Sequence, residues 1–147
     1  MPQSIREQIL QALMATLAPV ATAQGATLLR SPVHGVPREA SPALLLFPES
    51  DTIVQRPNDR VERQLVVRLV ALARETRAGS PEALADQILV AAHAALFAHA
   101  NLGGLALGLH ELDCEWDVDD ADAGAAAIPA RYQITYRTQF HDLARPG

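Results

Sequence analysis

Hydrophobic positions along the chain switch between a helical and a strand period, and the switches lay out its elements. From Ser4 to Gln24 the residues Ile5, Ile9, Leu13, Leu17 and Val20 recur at helical spacing, which predicts an amphipathic helix. Ser4 followed by Glu7 is the capping-box pattern at its start. Pro19 removes a backbone donor, so a kink or an end is expected near Leu17, and Gly25 closes the element. A short strand over Ala26 to Arg30 leads into a loop, Ser31 to Pro42, with three prolines and a glycine. Ala43 to Phe47 has the continuous apolar character of a strand buried on both faces. The segment PESD reads as a turn, Thr52 to Arg56 as a further strand, and Pro57-Asn58-Asp59 as another turn.

Val61 to Arg74 is the longest strand of the first half. It carries Leu65, Val67, Leu69, Ala71 and Ala73 on one face. Gln64, Arg68 and Arg74 mark the other face, where Val66, Val70 and Leu72 keep it from being fully wet. Ser80, Pro81 and Glu82 then occupy the N-cap, first position and first turn of a second helix. That helix runs to about Ala100, with the stripe Leu84, Ile88, Ala91, Ala95 and Leu96, and ends at Asn101 and Gly103-Gly104.

From Leu105 to Thr138 two strand-like runs flank an acidic, alanine-rich turn. In the first, odd positions pass from Leu105, Leu107 and Leu109 to Glu111, Asp113, Glu115 and Asp117; even positions carry Leu112, Cys114, Trp116 and Val118. In the second, Ile128, Tyr132, Ile134 and Tyr136 share one face, and Arg131, Gln133, Thr135 and Arg137 the other. Paired antiparallel, they form a hairpin with an apolar face and with acids opposite arginines. The order α-β-β-β-β-α-β-β predicts an α+β domain, a mainly antiparallel curved sheet with two helices on one face.

Length and composition narrow the classes. The 147 residues fit a single domain, residues 1–147, that can bury a core without metal or disulfide. A net charge of −5 argues against free nucleic acid as a partner. One cysteine excludes an internal disulfide, and no stretch reaches the ~20 apolar residues of a membrane span. The start, MPQSIREQIL, lacks a signal-peptide core, so a soluble protein that stays where it is made is expected.

Catalytic chemistry is sparse. His93 and His99 are six apart, not a same-face metal spacing, and His110-Glu111 does not continue into HExxH. The acidic residues from Glu111 to Asp122 offer oxygen ligands in a row but lack the glycine and closing Glu of a helix-loop-helix calcium site, so a solvated or interfacial face is expected. Cys114 reads as a small core side chain. Trp116, Tyr132 and Tyr136 read as sheet core rather than a base-stacking platform. No enzyme site, cofactor or metal is expected.

Charge distribution is the feature that asks for a function. Arginines cluster mid-chain and acids near the end, and separated opposite strips let a monomer associate head to tail into a ring. Candidate subunit contacts are Arg63, Arg68, Arg74, Arg131 and Arg137 against Glu111, Asp113, Glu115 and Asp117.

A resemblance points the same way. The segments SIREQILQAL, FPESDT, RQLVVRLVALAR, SPEALADQILVAAHAAL, NLGGLALGLHELDCEWDVDD and YQITYRTQF follow one another in an order similar to that of the tail terminator (tail completion) proteins, minor tail proteins of long-tailed phages and prophages. Its most telling pieces are Ala100-Asn101-Leu102-Gly103-Gly104, the acidic-aromatic strand after it, and the closing Tyr132, Tyr136, Arg137 and Thr138. The resemblance implies a non-enzymatic virion protein, made in the host bacterial cytoplasm. Its hexameric ring would cap the tail tube, stop tube polymerisation and present a surface for head joining. The implied partners are the chain itself, the tail tube protein and the head–tail connector. Residues placed for touching the tube or connector are Arg30, His34, Arg38, Glu39, Asp119, Asp120 and Asp122. A head–tail joining protein and a small cytoplasmic ligand-binding α+β domain are the alternatives.

Overall fold

The computed structural model describes residues 2–76, 79–116 and 125–147, and of Arg38 the backbone only. Two helices, α1 (Ile5–Ala23) and α2 (Pro81–Ala98), accompany six strands: β1 (Thr27–Arg30), β2 (Ala43–Gln55), β3 (Arg60–Arg74), β4 (Gly108–Cys114), β5 (Ala125–Gln139) and β6 (Asp142–Pro146). The sheet order is β1-β2-β3-β5-β4, with β6 hairpinned onto the end of β5. Among the described strands only β1 and β2 run parallel, joined by residues 31–42 with a short 3-10 turn at Arg38–Ala40. The class is α+β with a mostly antiparallel sheet, as the hydrophobic pattern predicts.

The element order is nevertheless α-β-β-β-α-β-β-β. The runs Ala43–Phe47 and Thr52–Arg56 are one strand, because PESD is not a turn. The ladder from β2 to β3 slips between Pro48 and Ser50, and a bulge at Glu49 absorbs the polar residues without reversing the chain. The added strand β6 is polar and carries Pro146, so no hydrophobic alternation announces it.

Helix α1 also departs from expectation, running through Pro19 to Ala23. Pro19 lacks the N–H that would meet the carbonyl of Ala15, but both residues are exposed, so water can satisfy that carbonyl. Ser4 caps the helix as expected, accepting from the N–H of Glu7 at 3.0 Å, and Gly25 follows the end with φ +65°. Ser80 caps α2 in the same way, from the Ala83 N–H at 3.2 Å.

Both helices cover one sheet face. α2 crosses β3 and β5, and α1 lies beside it, reaching β1, β2 and β6. Ile5, Ile9, Leu13 and Leu17 of α1 and Ala85, Ile88, Ala92 and Leu96 of α2 meet Leu44, Leu46, Leu65, Val67, Leu69, Tyr132, Ile134 and Tyr136 in a single core. Alanines at the buried positions of α2 hold it close to the sheet.

Pro129 sits inside β5, where a proline would normally interrupt a ladder. It is tolerated because β4 stops at Cys114, opposite Ala130, and beyond that point β5 has no neighbour on that side among the described residues. Of the described helices, none is long and apolar enough to cross a membrane.

Candidate functional site

Neither of the described helices lies over the other face of the sheet. Strand parity sends Leu45 and Phe47 of β2, Val66, Arg68, Val70, Leu72 and Arg74 of β3, and Pro129, Arg131, Gln133 and Arg137 of β5 to this open side. Ala43, Leu45 and Val66 are buried even here, at 0%, 7% and 9% exposure, so the face is half apolar.

A charged ladder runs across it. Arg131 donates from Nε to Glu49 at 3.2 Å and from one terminal nitrogen to both oxygens of Asp113, at 3.2 and 2.9 Å. Glu49, the bulged residue of β2, follows Leu45 and Phe47 to this side, and a register shift between Glu111 and Asp113 in β4 turns Asp113 to it as well. Arg137 pairs with Glu62 through two nitrogens, at 3.0 and 2.9 Å. Arg74 donates to the carbonyl of Val36 at 2.8 Å and so ties the loop of residues 31–42 to the end of the face. Arg68 differs from all of these. It lies directly opposite Arg131 in the β3–β5 register, and its guanidinium sits over the ring of Phe47 at 4.8 Å.

The register shift in β4 corrects the expectation of an uninterrupted acidic row. Glu111 stays opposite Tyr132 on the helix side, Asp113 moves to the open side opposite Arg131, and Cys114 returns to the core side opposite Ala130. The carboxylates therefore do not line up for a hard cation, and among the described residues no three His, Cys, Asp or Glu side chains converge for a metal.

On the helix side of this edge, His93 Nδ1 lies 2.9 Å from the hydroxyl of Tyr132 and Nε2 lies 3.9 Å from Glu111. Phe97 packs on His93 with centroids 4.7 Å apart. Burial raises the Tyr132 phenol above its ordinary pKa, helped by the negative charge of Glu111. Burial also pushes the Cys114 thiol up, with Glu111 and Asp113 adding to it, so the residue is a small packed side chain and a poor nucleophile. Trp116, expected in the sheet core, is 59% exposed just past the end of β4, because the core ends where the strand does.

A second polar knot sits beneath the first turn of α1. Asp51 accepts from Arg6 at 3.0 Å and from the hydroxyl of Tyr136 in a short hydrogen bond. Arg63 donates from Nε to Thr138 at 3.3 Å alongside. Burial raises the Tyr136 phenol, and the bond to Asp51 adds to it. The knot joins α1, β2, β3 and β5, and its work is structural. The adjoining cleft, lined by Ser4, Arg6, Tyr136, Thr138 and Leu143, has no room for a water molecule.

The structure thus divides the residues singled out by sequence. Arg131 and Asp113 pair with each other, while Arg137 finds Glu62. Arg63 lies on the helix side with the Asp51 knot, and Arg30 is clamped by Glu7 at 2.6 and 2.7 Å. His34 and Glu39 are exposed on the loop, where the Arg38 side chain is outside the described residues. Asp117, Asp119, Asp120 and Asp122 also lie outside them. Glu49, Glu62 and Asp51 were not singled out from sequence. Glu49 and Asp51 fall in the segment read as a turn, and the bulge at Glu49 turns Asp51, which would otherwise share its face, to the helix side. In comparison with known proteins, the chain matches no family model and no curated protein sequence.

Proposed function

We propose that this protein is a structural subunit of a phage or prophage tail. In this reading, copies of the chain form a ring that caps the tail tube, stops its polymerisation and offers a surface for head joining. The observation that carries the reading is the open sheet face. It is half apolar and crossed by charges, with no second layer over it among the described residues, while the acidic end of β4 lies at the sheet's edge. Half-buried aromatic and aliphatic side chains set among arginines have the composition of an interface centre. A patch on the face and a different patch at the edge make a heterologous contact, the kind that closes into rings. The order of the sequence segments supports the terminator reading through the resemblance set out above.

The test is to polymerise the cognate tail tube protein with and without this chain and to measure tube lengths by electron microscopy. A narrowed, shorter length distribution with density at one tube end is expected. Unchanged tube growth with no bound protein would reject the tube-capping reading. Binding to the portal-side connector instead would favour a head–tail joining protein, which the same open face would also suit.

A further inference from the structure

Arg68 is the one arginine of the open-face ladder placed beside a like charge and without an acid. Its direct cross-strand neighbour is Arg131, and like charges facing each other across a ladder are destabilising. Arg131 takes both nearby carboxylates, Glu49 and Asp113. Among the described residues Arg68 forms no ion pair or hydrogen bond: its Nε is buried without an acceptor, and its one polar contact is with the ring of Phe47. A buried donor left without an acceptor costs ~1–3 kcal/mol. Its neighbours on this face are apolar: Leu45 and Val66 are buried, and Phe47, Val70 and Pro129 are half-buried. Such a socket fits a carboxylate carried beside a large apolar group.

The chain itself carries that combination. Glu115 and Trp116 follow β4 directly; both are exposed, and Glu115 makes no hydrogen bond or ion pair with any described residue. Trp and Arg are the side chains that most often dominate interface energies when their surroundings exclude water. Within one chain, β5 with Arg131 lies between β3 and β4, so Arg68 already has Arg131 as its neighbour on that side. A second copy meets no such obstacle.

We infer that the subunit contact seats Glu115 and Trp116 of one copy on Arg68 and Phe47 of the next. The carboxylate of Glu115 meets the guanidinium, and the Trp116 ring covers the apolar surround. This rests on the ring reading above and specifies its contact. Because socket and knob are different patches, the contact is heterologous and repeats from copy to copy.

The test is sedimentation velocity of the full chain over a concentration series. Arg68→Glu and Glu115→Arg should each weaken self-association at least tenfold, and Trp116→Ala should do the same while leaving the unfolding midpoint unchanged. Combining Arg68→Glu with Glu115→Arg should restore association toward wild type, an outcome that misfolding of either single variant does not produce. If wild type assembles and the single variants assemble equally well, or the double variant is no better than either, this contact is wrong and the ring reading stands. If wild type is a monomer at every concentration and with tube protein added, both fall together. Tube protein bound through Arg68 by a monomeric chain would likewise overturn the contact, since the occupant would then be another protein.

Discussion

The two faces of one sheet are built from the same strands, yet they end in different states. On the helix side, Leu65, Val67, Leu69 and Ile134 are sealed under α1 and α2, and the polar groups there find partners in small knots such as Asp51 with Arg6 and Tyr136. On the open side, Phe47, Val70 and Leu72 are half-buried beside arginines, with side chains and one loop doing the covering. The helix side is a closed core whose value is stability. The open side has the composition of an interface centre, aromatic and arginine together with few lysines or none. Apolar strand positions on a second face are therefore informative when no described helix covers them.

Breaking the covered face should have the largest effect. Ile134→Ala removes a fully buried side chain and is expected to cost ~2–5 kcal/mol in urea unfolding. Val70→Ala, opposite in facing, should cost less than half as much in the same assay, because its surroundings are already partly solvated. Equal losses would mean that the open face is as closed as the core.

The polar knot comes next. Asp51→Ala leaves the Tyr136 hydroxyl and Arg6 without their acceptor and should destabilise by ~1–3 kcal/mol. The check is a chemical-denaturation midpoint, with Glu49→Ala on the open face as the comparison. Glu49 holds a partly exposed Arg131, and its loss should fall in the ~0.2–1 kcal/mol range of surface pairs.

The smallest effect concerns the clamp between α1 and β1. The hydrogen bond from Arg30 holds Glu7 below its ordinary carboxyl pKa. A group with a lowered folded pKa contributes stability that is present above its unfolded value, ~4.3, and is lost as pH falls through the folded value. Stability should thus decline on acidification below about pH 4, and Glu7→Gln should remove that part of the decline. A Glu7→Gln profile identical to wild type would show that other carboxylates account for it.

Much of this arrangement is legible in the sequence, and the rest is hidden for physical reasons. The alternation in Val61–Arg74 and in Ile128–Arg137 reports both faces correctly, including the unusual second face that Val66, Val70 and Leu72 keep from being wet. Caps at Ser4 and Ser80 are local chemistry and read directly. The bulges are another matter. Glu49 and Leu112 each insert one residue into a ladder, and a strand's period of two reverses after such a residue. The warning in β4 is that its odd positions change from leucine to acid partway along, a conflict that one uninterrupted strand face does not resolve. Pro19 misleads because helix propensity says nothing about which side faces water. Strand β6 has no pattern of its own and exists because the end of β5 offers it a pairing edge. The isolation of Arg68 becomes visible only once register sets it opposite Arg131 and gives both acids to its neighbour.

The central claim is that the open face is an assembly surface for copies of this chain. Light scattering of the purified protein across concentration and salt tests it most directly. A discrete mass near six times the 15.8 kDa of one chain is expected, with association weakening as salt screens the contact between Arg68 and Glu115. A strict monomer at every concentration, unchanged by added tube protein, would contradict it.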